Sequence, residues 1–470
     1  MLKFILRFII VTVIIGISFN LIYYFPKNYV DRIISAEKII FVTRVSPTTY
    51  YNIKDNTQGF EYDLMKEFSQ YLDVEMEVVT EENFDLIKDK INFNRSNILV
   101  GMTSSDTNKK IFNFSNSYEN IDQLLIYNAK LRFKPKKINQ IESTVIDILN
   151  TKNHIHLLSE LKKKYTNIKW SELDDSNTDE LVEMISEGLI DFTIINSNEY
   201  KIYKRYYPEL EVAFNLSKNE PLAWAVSKDI DDSLIIKINE FFKFMNSSER
   251  LNELSEKHFG HRNNFSFVGS RNFLKDIIVY LPKYEKLFKE AAEKYNLDWR
   301  LLASVSYQES RWRENAVSYT GVKGLMMLTL NTSKHLGVAN RLDPKESIFG
   351  GAKYIDEIYH RLPKNINESD KVWFTLASYN IGFGHVMDVF NLAKNSTKNP
   401  YSWVNAKPFF NQLSKAKFYK LTKYGYARGW EALKYVQNIR QYYDILVFLD
   451  TKDNIMDEEI NIHKRIPQTL

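Results

Sequence analysis

The hydrophobic period of this chain changes once, and that change sets its architecture. Between Lys38 and Met245 short apolar runs of strand character alternate with helical spacing, whereas from Asp276 to about residue 450 only the helical period recurs. Lys38 to Val45, Glu75 to Thr80 and Asn97 to Met102 read as strands. Between them, Gly59 to Val74 places Leu64, Phe68 and Leu72 on one helical stripe, and Asn83 to Ile91 reads as a further helix. The alternation returns beyond residue 150, with helices expected at Asp179 to Glu187 and Asp232 to Met245 and strands at Asp191 to Asn196 and Leu222 to Val226. Such alternation predicts parallel sheets flanked by helices, and two blocks of it predict two lobes. Past the polar stretch Arg262 to Arg271, helices are expected at Asp276 to Tyr295, Ile348 to Leu362 and Ser369 to Asn380. The chain is therefore multidomain, a two-lobed α/β part followed by a mainly α-helical part.

Its 470 residues exceed one ordinary core. A formal net charge of +4 spread over that length permits weak attraction to an anionic polymer such as the cell wall, but it is no nucleic-acid footprint. The absence of cysteine excludes disulfides, thiolate metal sites, a cysteine nucleophile and lipoprotein acylation. There is no His-Glu-x-x-His sequence, His258 and His261 have no carboxylate pattern beside them, and no Gly-x-x-x-x-Gly-Lys loop occurs, so neither metal nor cofactor is expected.

Compartment is read from the first residues. Lys3 and Arg7 precede an apolar run from Phe8 to Tyr24, which predicts an export signal or a membrane anchor within residues 1–30. The run continues to Tyr24, which favours an uncut anchor, and its basic flank puts everything after about residue 26 outside the inner membrane. Pro26 to Glu37 then reads as a spacer, and residues 456–470 as a polar, frayed tail.

One stretch carries chemistry. Asn296-Leu297-Asp298 offers a helix cap, Leu301, Leu302 and Val305 recur at helical spacing, and Glu309 lies four residues beyond Val305 on the same stripe. A carboxyl group held against apolar neighbours loses hydration in its charged form, so its pKa rises and it can donate a proton near neutral pH. That is what a general acid requires.

Glu309-Ser310 is followed by Ser318, by Gly324-Leu325-Met326-Met327 and later by Ala377-Ser378-Tyr379-Asn380-Ile381-Gly382. In this order the motifs resemble the lysozyme-like catalytic domain of soluble-type lytic transglycosylases. Many members have Gln after Gly-Leu-Met. Met327 here, together with Tyr424-Gly425-Tyr426-Ala427-Arg428-Gly429 and Tyr435-Val436-x-x-Ile439-Arg440, is similar to the membrane-bound lytic murein transglycosylase F branch.

The resemblance implies cleavage of the MurNAc-GlcNAc β-1,4 bond of peptidoglycan without added water, leaving 1,6-anhydromuramic acid ends. Glu309 matches the single catalytic acid, which later serves as base. Ser318, Tyr379 and Asn380 match substrate-orienting positions, and Met326, Met327 and Tyr435 match groove-lining ones. A glycosidase of the two-carboxylate kind would need a second acid; Glu314, Asp343, Asp356 and Glu357 are the nearby ones, and none stands on a motif. Two other readings remain at this point, a hydrolase using one of those acids and a glycan-binding or sensor protein that does not cut.

A second resemblance covers residues 38–265. Gly59-Phe60-Glu61-Tyr62-Asp63-Leu64, Phe114-Ser115 with Ser117-Tyr118, and Pro221-Leu222-Ala223-Trp224-Ala225-Val226 look like the extracellular solute-binding proteins that capture amino acids between two lobes. Where that family commonly has an Arg for the ligand carboxylate, Thr107-Asn108-Lys109-Lys110 stands here, so Lys109 and Lys110 are the candidate ligand contacts. Lysine offers a point charge but not the planar fork of arginine. The expected organisation is thus a segment 1–30, a periplasmic-binding-protein-like domain 38–265 and a lysozyme-like domain 270–455. The expected partners are peptidoglycan glycan strands, a small ligand or muropeptide at the first domain, and a membrane, with outer-membrane attachment implied by the resemblance to the transglycosylase F branch and inner-membrane attachment by an uncut helix.

Overall fold

The computed structural model describes residues 28–53, 56–81, 98–132, 134–173, 176–260, 267–318, 321–397 and 399–465. The apolar N-terminal run and the helix expected at Asn83 to Ile91 lie outside the described residues.

The first lobe is built on a sheet with strands in the order Glu75–Thr80, Lys38–Thr43, Ile98–Thr103, Glu220–Ser227 and Phe112–Phe114, with Glu119–Ile121 also pairing Glu220–Ser227. Lys38–Thr43 runs parallel to both its neighbours. Glu220–Ser227 runs antiparallel to Ile98–Thr103, so the sheet is mixed rather than parallel as expected. The chain reaches that strand on its way back from the second lobe, with no strand-helix-strand crossover to impose a parallel direction. For the same reason the Leu222 to Val226 strand and the following helix, Ser233–Ser247, belong to the first lobe and not to a second block.

Fully buried Phe41, Phe68, Trp224 and Phe241 form the centre of this lobe. Residues expected as a spacer join it. Asn28 caps the helix Tyr29–Ser35 by accepting the Asp31 N–H at 2.8 Å, and Val30 and Ile33 are buried in the same core.

The second lobe combines an antiparallel sheet, Thr193–Asn196, Gln123–Asn128 and Leu210–Asn215, with a parallel pair, Val145–Leu149 and Lys169–Leu173. Leu125, Ile146, Ile148 and Phe192 fill it.

The remainder is helical. The stretch expected as one helix from Asp276 to Tyr295 is two, Phe267–Val279 and Leu281–Tyr295, broken at Tyr280. Pro282 has no N–H to give a preceding turn, so it stands in the first turn of the second helix. Trp299–Ser310, Pro344–Arg361, Glu368–Ile381, Phe383–Ala393 and Trp403–Phe410 follow, sharing one core that includes Phe288, Leu302, Phe374, Phe390 and Trp403. The last helix, Gly429–Arg465, does not end near residue 450 but continues through part of the expected tail. Among the described residues no helix is long and apolar enough to cross a membrane.

That last helix also joins the two parts of the molecule. Arg440, 2% exposed, donates to the carbonyls of Glu256 and Lys257 at 2.8 and 2.6 Å and lies over the Trp373 ring at 4.4 Å. Lys407 reaches the Glu256 carboxylate at 2.7 Å. The second lobe meets the same helix through Arg205 with Asp444 at 2.6 Å and through Tyr206 stacked on Phe448 with ring centres 3.9 Å apart.

Candidate active site

The helix Trp299–Ser310 begins with Asp298, whose carboxylate accepts the Arg300 N–H at 2.9 Å. Leu302 and Val305 on its apolar stripe are buried. It ends abruptly, because Arg311 and Trp312 both take left-handed conformations with φ of 51° and 54°. The buried Trp312 indole donates back to the Ala303 carbonyl at 2.9 Å, which locks this reversal.

Ser310 does structural work beside Glu309. Its hydroxyl and that of Ser306 both bond the Leu325 carbonyl, at 2.9 and 3.1 Å, and so tie the Gly-Leu-Met turn to the helix. The turn itself depends on Gly324, whose φ is 82° and where a Cβ would stand 1.8 Å from the Arg341 carbonyl oxygen. The Met326 N–H then donates to Ser347 Oγ at 3.1 Å, and the Met326 carbonyl accepts the Tyr379 hydroxyl at 2.7 Å.

Glu309 is half-buried. Its Oε1 accepts the Tyr435 hydroxyl at 2.6 Å, and one residue earlier Gln308 accepts from Asn438 at 3.1 Å, so the two helices are clasped at the acid and at the residue before it. Burial pushes the Glu309 carboxyl up from 4.5 to about 7, with the Tyr435 hydrogen bond opposing the rise. No neighbouring carboxylate contributes to that shift. A raised carboxyl is not by itself a catalytic sign here. Glu61 is pushed further, to about 8, but it is sealed in the first lobe at 3% exposure, held by the Tyr118 hydroxyl and the Trp224 indole. Glu309 differs in keeping an opening to solvent.

The other acids near it in sequence are engaged elsewhere. Glu314 pairs with Lys283 at 2.8 Å and Tyr284 at 3.0 Å, Asp343 caps the helix Pro344–Arg361 on the Glu346 N–H at 2.8 Å, Asp356 meets His360 at 2.9 Å, and Glu357 meets His335 at 2.9 Å.

Two of the residues expected to line a groove have different surroundings. Met326 is fully buried against Gly351, where a Cβ would lie 2.6 Å from its Cε, so its side chain is core and only its carbonyl serves the site. Tyr435 is 5% exposed and offers its hydroxyl to Glu309 rather than a ring face to solvent. Met327 is half-buried with a left-handed φ of 47°. Ser318 accepts the Val322 N–H at 3.2 Å and closes a turn, the Tyr379 hydroxyl is given to the Met326 carbonyl and is kept protonated by burial and, after that, by the nearby Glu309 carboxylate, and Asn380 is exposed at the end of its helix.

Between the two lobes lies a cavity of about 80 Å³, lined among others by Arg44, Asn108, Gln123, Thr151, His154 and Asn196. Lys109 and Lys110 are not part of its lining, in contrast to the expectation from sequence. They follow Asn108, which is the residue of that turn whose side chain points inward, donating to the Thr103 carbonyl at 2.9 Å. The lining does contain a guanidinium, that of Arg44 just beyond the first strand, and it meets Glu199 of the opposite lobe at 3.5 Å. Neither Arg44 nor His154 stood on a recognisable motif. Only the approach of distant strands and helices reveals them.

Comparison with known proteins agrees with this division. Residues 38–261 match the family described as bacterial extracellular solute-binding proteins, family 3, and residues 286–402 match the transglycosylase SLT domain. A membrane-bound lytic murein transglycosylase F of Pseudomonas fluorescens is 40% identical over 427 residues, covering 90% of this chain and 87% of its own. The chain belongs to the membrane-bound lytic murein transglycosylase F family. The member from Aeromonas hydrophila is 39% identical over 92% of this chain and 86% of its own length. A solved structure similar to the N-terminal part is that of an ancestral arginine-binding protein bound to arginine, at 20% identity and a TM-score of 0.43 over 47% of this chain and 98% of that one. Within the transglycosylase F family frame, the solute-binding-like module and the SLT domain are the two parts that the Gly429–Arg465 helix joins.

Proposed function

We propose that this chain is a peptidoglycan lytic transglycosylase in which Glu309 acts alone, first as acid and then as base. The observation that carries the reading is a half-buried carboxyl poised near pH 7 whose proton affinity is set by burial and by Tyr435, with no second carboxylate in play. Protonated Glu309 gives its proton to the glycosidic oxygen between MurNAc and GlcNAc as that bond breaks. The substrate's own N-acetyl oxygen supports the anomeric carbon. The MurNAc 6-hydroxyl then attacks it, and the Glu309 carboxylate takes the hydroxyl proton. Acid is regenerated and a 1,6-anhydro ring closes. The attack is intramolecular, so proximity replaces the water that a second carboxylate would activate.

Ser318, Tyr379 and Asn380 are the residues we assign to substrate orientation around this acid, and Met327 to the wall of the groove. Residues 38–265 form a solute-binding-like, non-catalytic domain and residues 270–455 the catalytic domain. The protein works on the periplasmic side of the bacterial envelope, associated with a membrane, and residues 1–30 export or anchor it.

The test is mass spectrometry of products released from purified peptidoglycan by the protein and by its Glu309→Gln variant. Products ending in 1,6-anhydromuramic acid, absent with the variant, support the reading. Reducing-end products mean that water is the nucleophile and sink the single-acid mechanism.

A further inference from the structure

The small net charge of the whole chain conceals a strongly biased segment. From Val389 to Trp430 there are eight lysine or arginine residues and no aspartate or glutamate, against +4 for all 470 residues. Lys415, Lys417, Lys420 and Lys423 are exposed, and among the described residues none of these four meets a carboxylate within ion-pair distance. Interleaved with them are large apolar side chains turned to solvent: Leu421 at 79%, Tyr426 at 55%, Tyr424 at 51% and Trp430 at 50% exposure.

This exposure is built rather than slack. The buried Asp388 carboxylate accepts the successive N–H groups of Lys423 and Tyr424 at 3.0 and 2.9 Å. The Tyr424 ring lies against Gly384, where a Cβ would come within 2.7 Å of it. The Ala427 N–H donates to the Leu413 carbonyl at 3.1 Å, and Tyr426 meets the Tyr419 ring edge-on at 5.7 Å. The backbone is fixed and the apolar groups still point outward.

We propose that residues 415–430 are a membrane-docking face of the catalytic domain, recognising an anionic phospholipid surface. Exposed lysines whose ammonium groups have no carboxylate within ion-pair distance suit phosphate headgroups, although Arg428 at the edge of this face is paired with Glu431 at 2.8 Å; tyrosine and tryptophan settle where a ring can be apolar at one end and wet at the other, and an aliphatic tip such as Leu421 enters the acyl boundary. A glycan would use the aromatic rings but has no use for the aliphatic tip. The chain has no cysteine to acylate, so a lipid chain on a thiol is not available to hold this domain at a membrane. Trp430 opens the helix that carries Tyr435, five residues or about 7.5 Å further along, so docking here would hold the Glu309 site at a set height above the bilayer. The proposal does not depend on Glu309 being catalytic.

The absence of native cysteine gives a direct test. The full-length Leu421→Cys protein, labelled with an environment-sensitive dye, is reconstituted into vesicles of phosphatidylethanolamine with phosphatidylglycerol and into vesicles of phosphatidylcholine alone. A blue shift in the anionic vesicles only is expected. It should disappear when Lys415→Gln, Lys417→Gln, Lys420→Gln and Lys423→Gln are added together, a change that lowers partitioning roughly 100-fold or more. All altered side chains are exposed, and an unchanged melting temperature verifies that the fold is kept. A dye that stays water-like on anionic vesicles would show that the protein is tethered only elsewhere and overturns the proposal. So does a shift that follows the addition of peptidoglycan glycan strands instead of anionic lipid, or one that survives the lysine changes.

Discussion

Tyr435 and Glu309, 126 residues apart in sequence, are joined by a 2.6 Å hydrogen bond in which the tyrosine hydroxyl donates to Oε1. The bond favours the ionised carboxylate while burial favours the protonated acid, and the balance stands at about 7. Burial also keeps the Tyr435 hydroxyl protonated, so it remains a donor throughout the working range. An acid that must both release and reclaim a proton gains from a pKa near the ambient pH.

Replacing Glu309 by Gln removes the only group assigned to proton transfer, and the rate should fall by about 10²–10⁴-fold or more. Stability should move the other way. A carboxyl whose folded pKa lies above its ordinary value destabilises the fold by nothing below about pH 4.5, increasingly between 4.5 and 7, and by a constant amount above 7. Glu309→Gln should therefore be more stable than the parent by roughly 2–3 kcal/mol at pH 8, with the gain gone at pH 4. Urea unfolding at the two pH values measures this, and an equal gain at both would show that the pKa is not raised.

Tyr435→Phe deletes the donor while keeping the ring. The Glu309 pKa should rise further, so the alkaline limb of kcat/KM against pH, expected to fall through about 7 in the parent, should move to higher pH. kcat at its optimum should drop by about ten-fold, the size of one lost hydrogen bond of roughly 1.4 kcal/mol. A lower rate with an unmoved pH profile would reduce Tyr435 to a packing residue.

Gly324→Ala tests the turn beside the acid. A Cβ there would meet the Arg341 backbone at 1.8 Å, and φ of 82° disfavours any side chain. A loss of about 2–4 kcal/mol is expected, seen as a melting temperature lower by roughly 5–15 °C. An unchanged melting temperature would contradict this account of the Gly-Leu-Met motif.

Arg440→Leu tests the joint between the modules. It removes the donor to the Glu256 and Lys257 carbonyls and the cation over Trp373, at a cost of about 2–4 kcal/mol. Calorimetry should resolve two unfolding steps where the parent has fewer or closer ones. If the thermogram keeps its shape and position, Arg440 does not hold the modules together.

Much of this protein was determined by sequence alone, because the deciding signals are local. The stripe from Leu301 to Glu309 specifies a helix with an acid on its inner edge, and the motifs around Gly324 and Tyr379 mark the family. The strand at Glu75–Thr80 and the helices Phe60–Leu72 and Glu368–Ile381 follow from periodicity nearly to the residue. What tertiary structure decided are relations between distant segments. The direction and lobe of Glu220–Ser227 depend on how the chain returns, which no local pattern encodes. Met326 reads as a groove residue until Gly351 is seen to receive it, and Tyr435 as a sugar platform until its hydroxyl is found on Glu309. Arg44 enters the cleft, and Lys109 and Lys110 do not, because side-chain direction at a turn is set by packing and not by charge. Periodicity fixes which face of an element is apolar; only the close packing of one element on another fixes what that face meets.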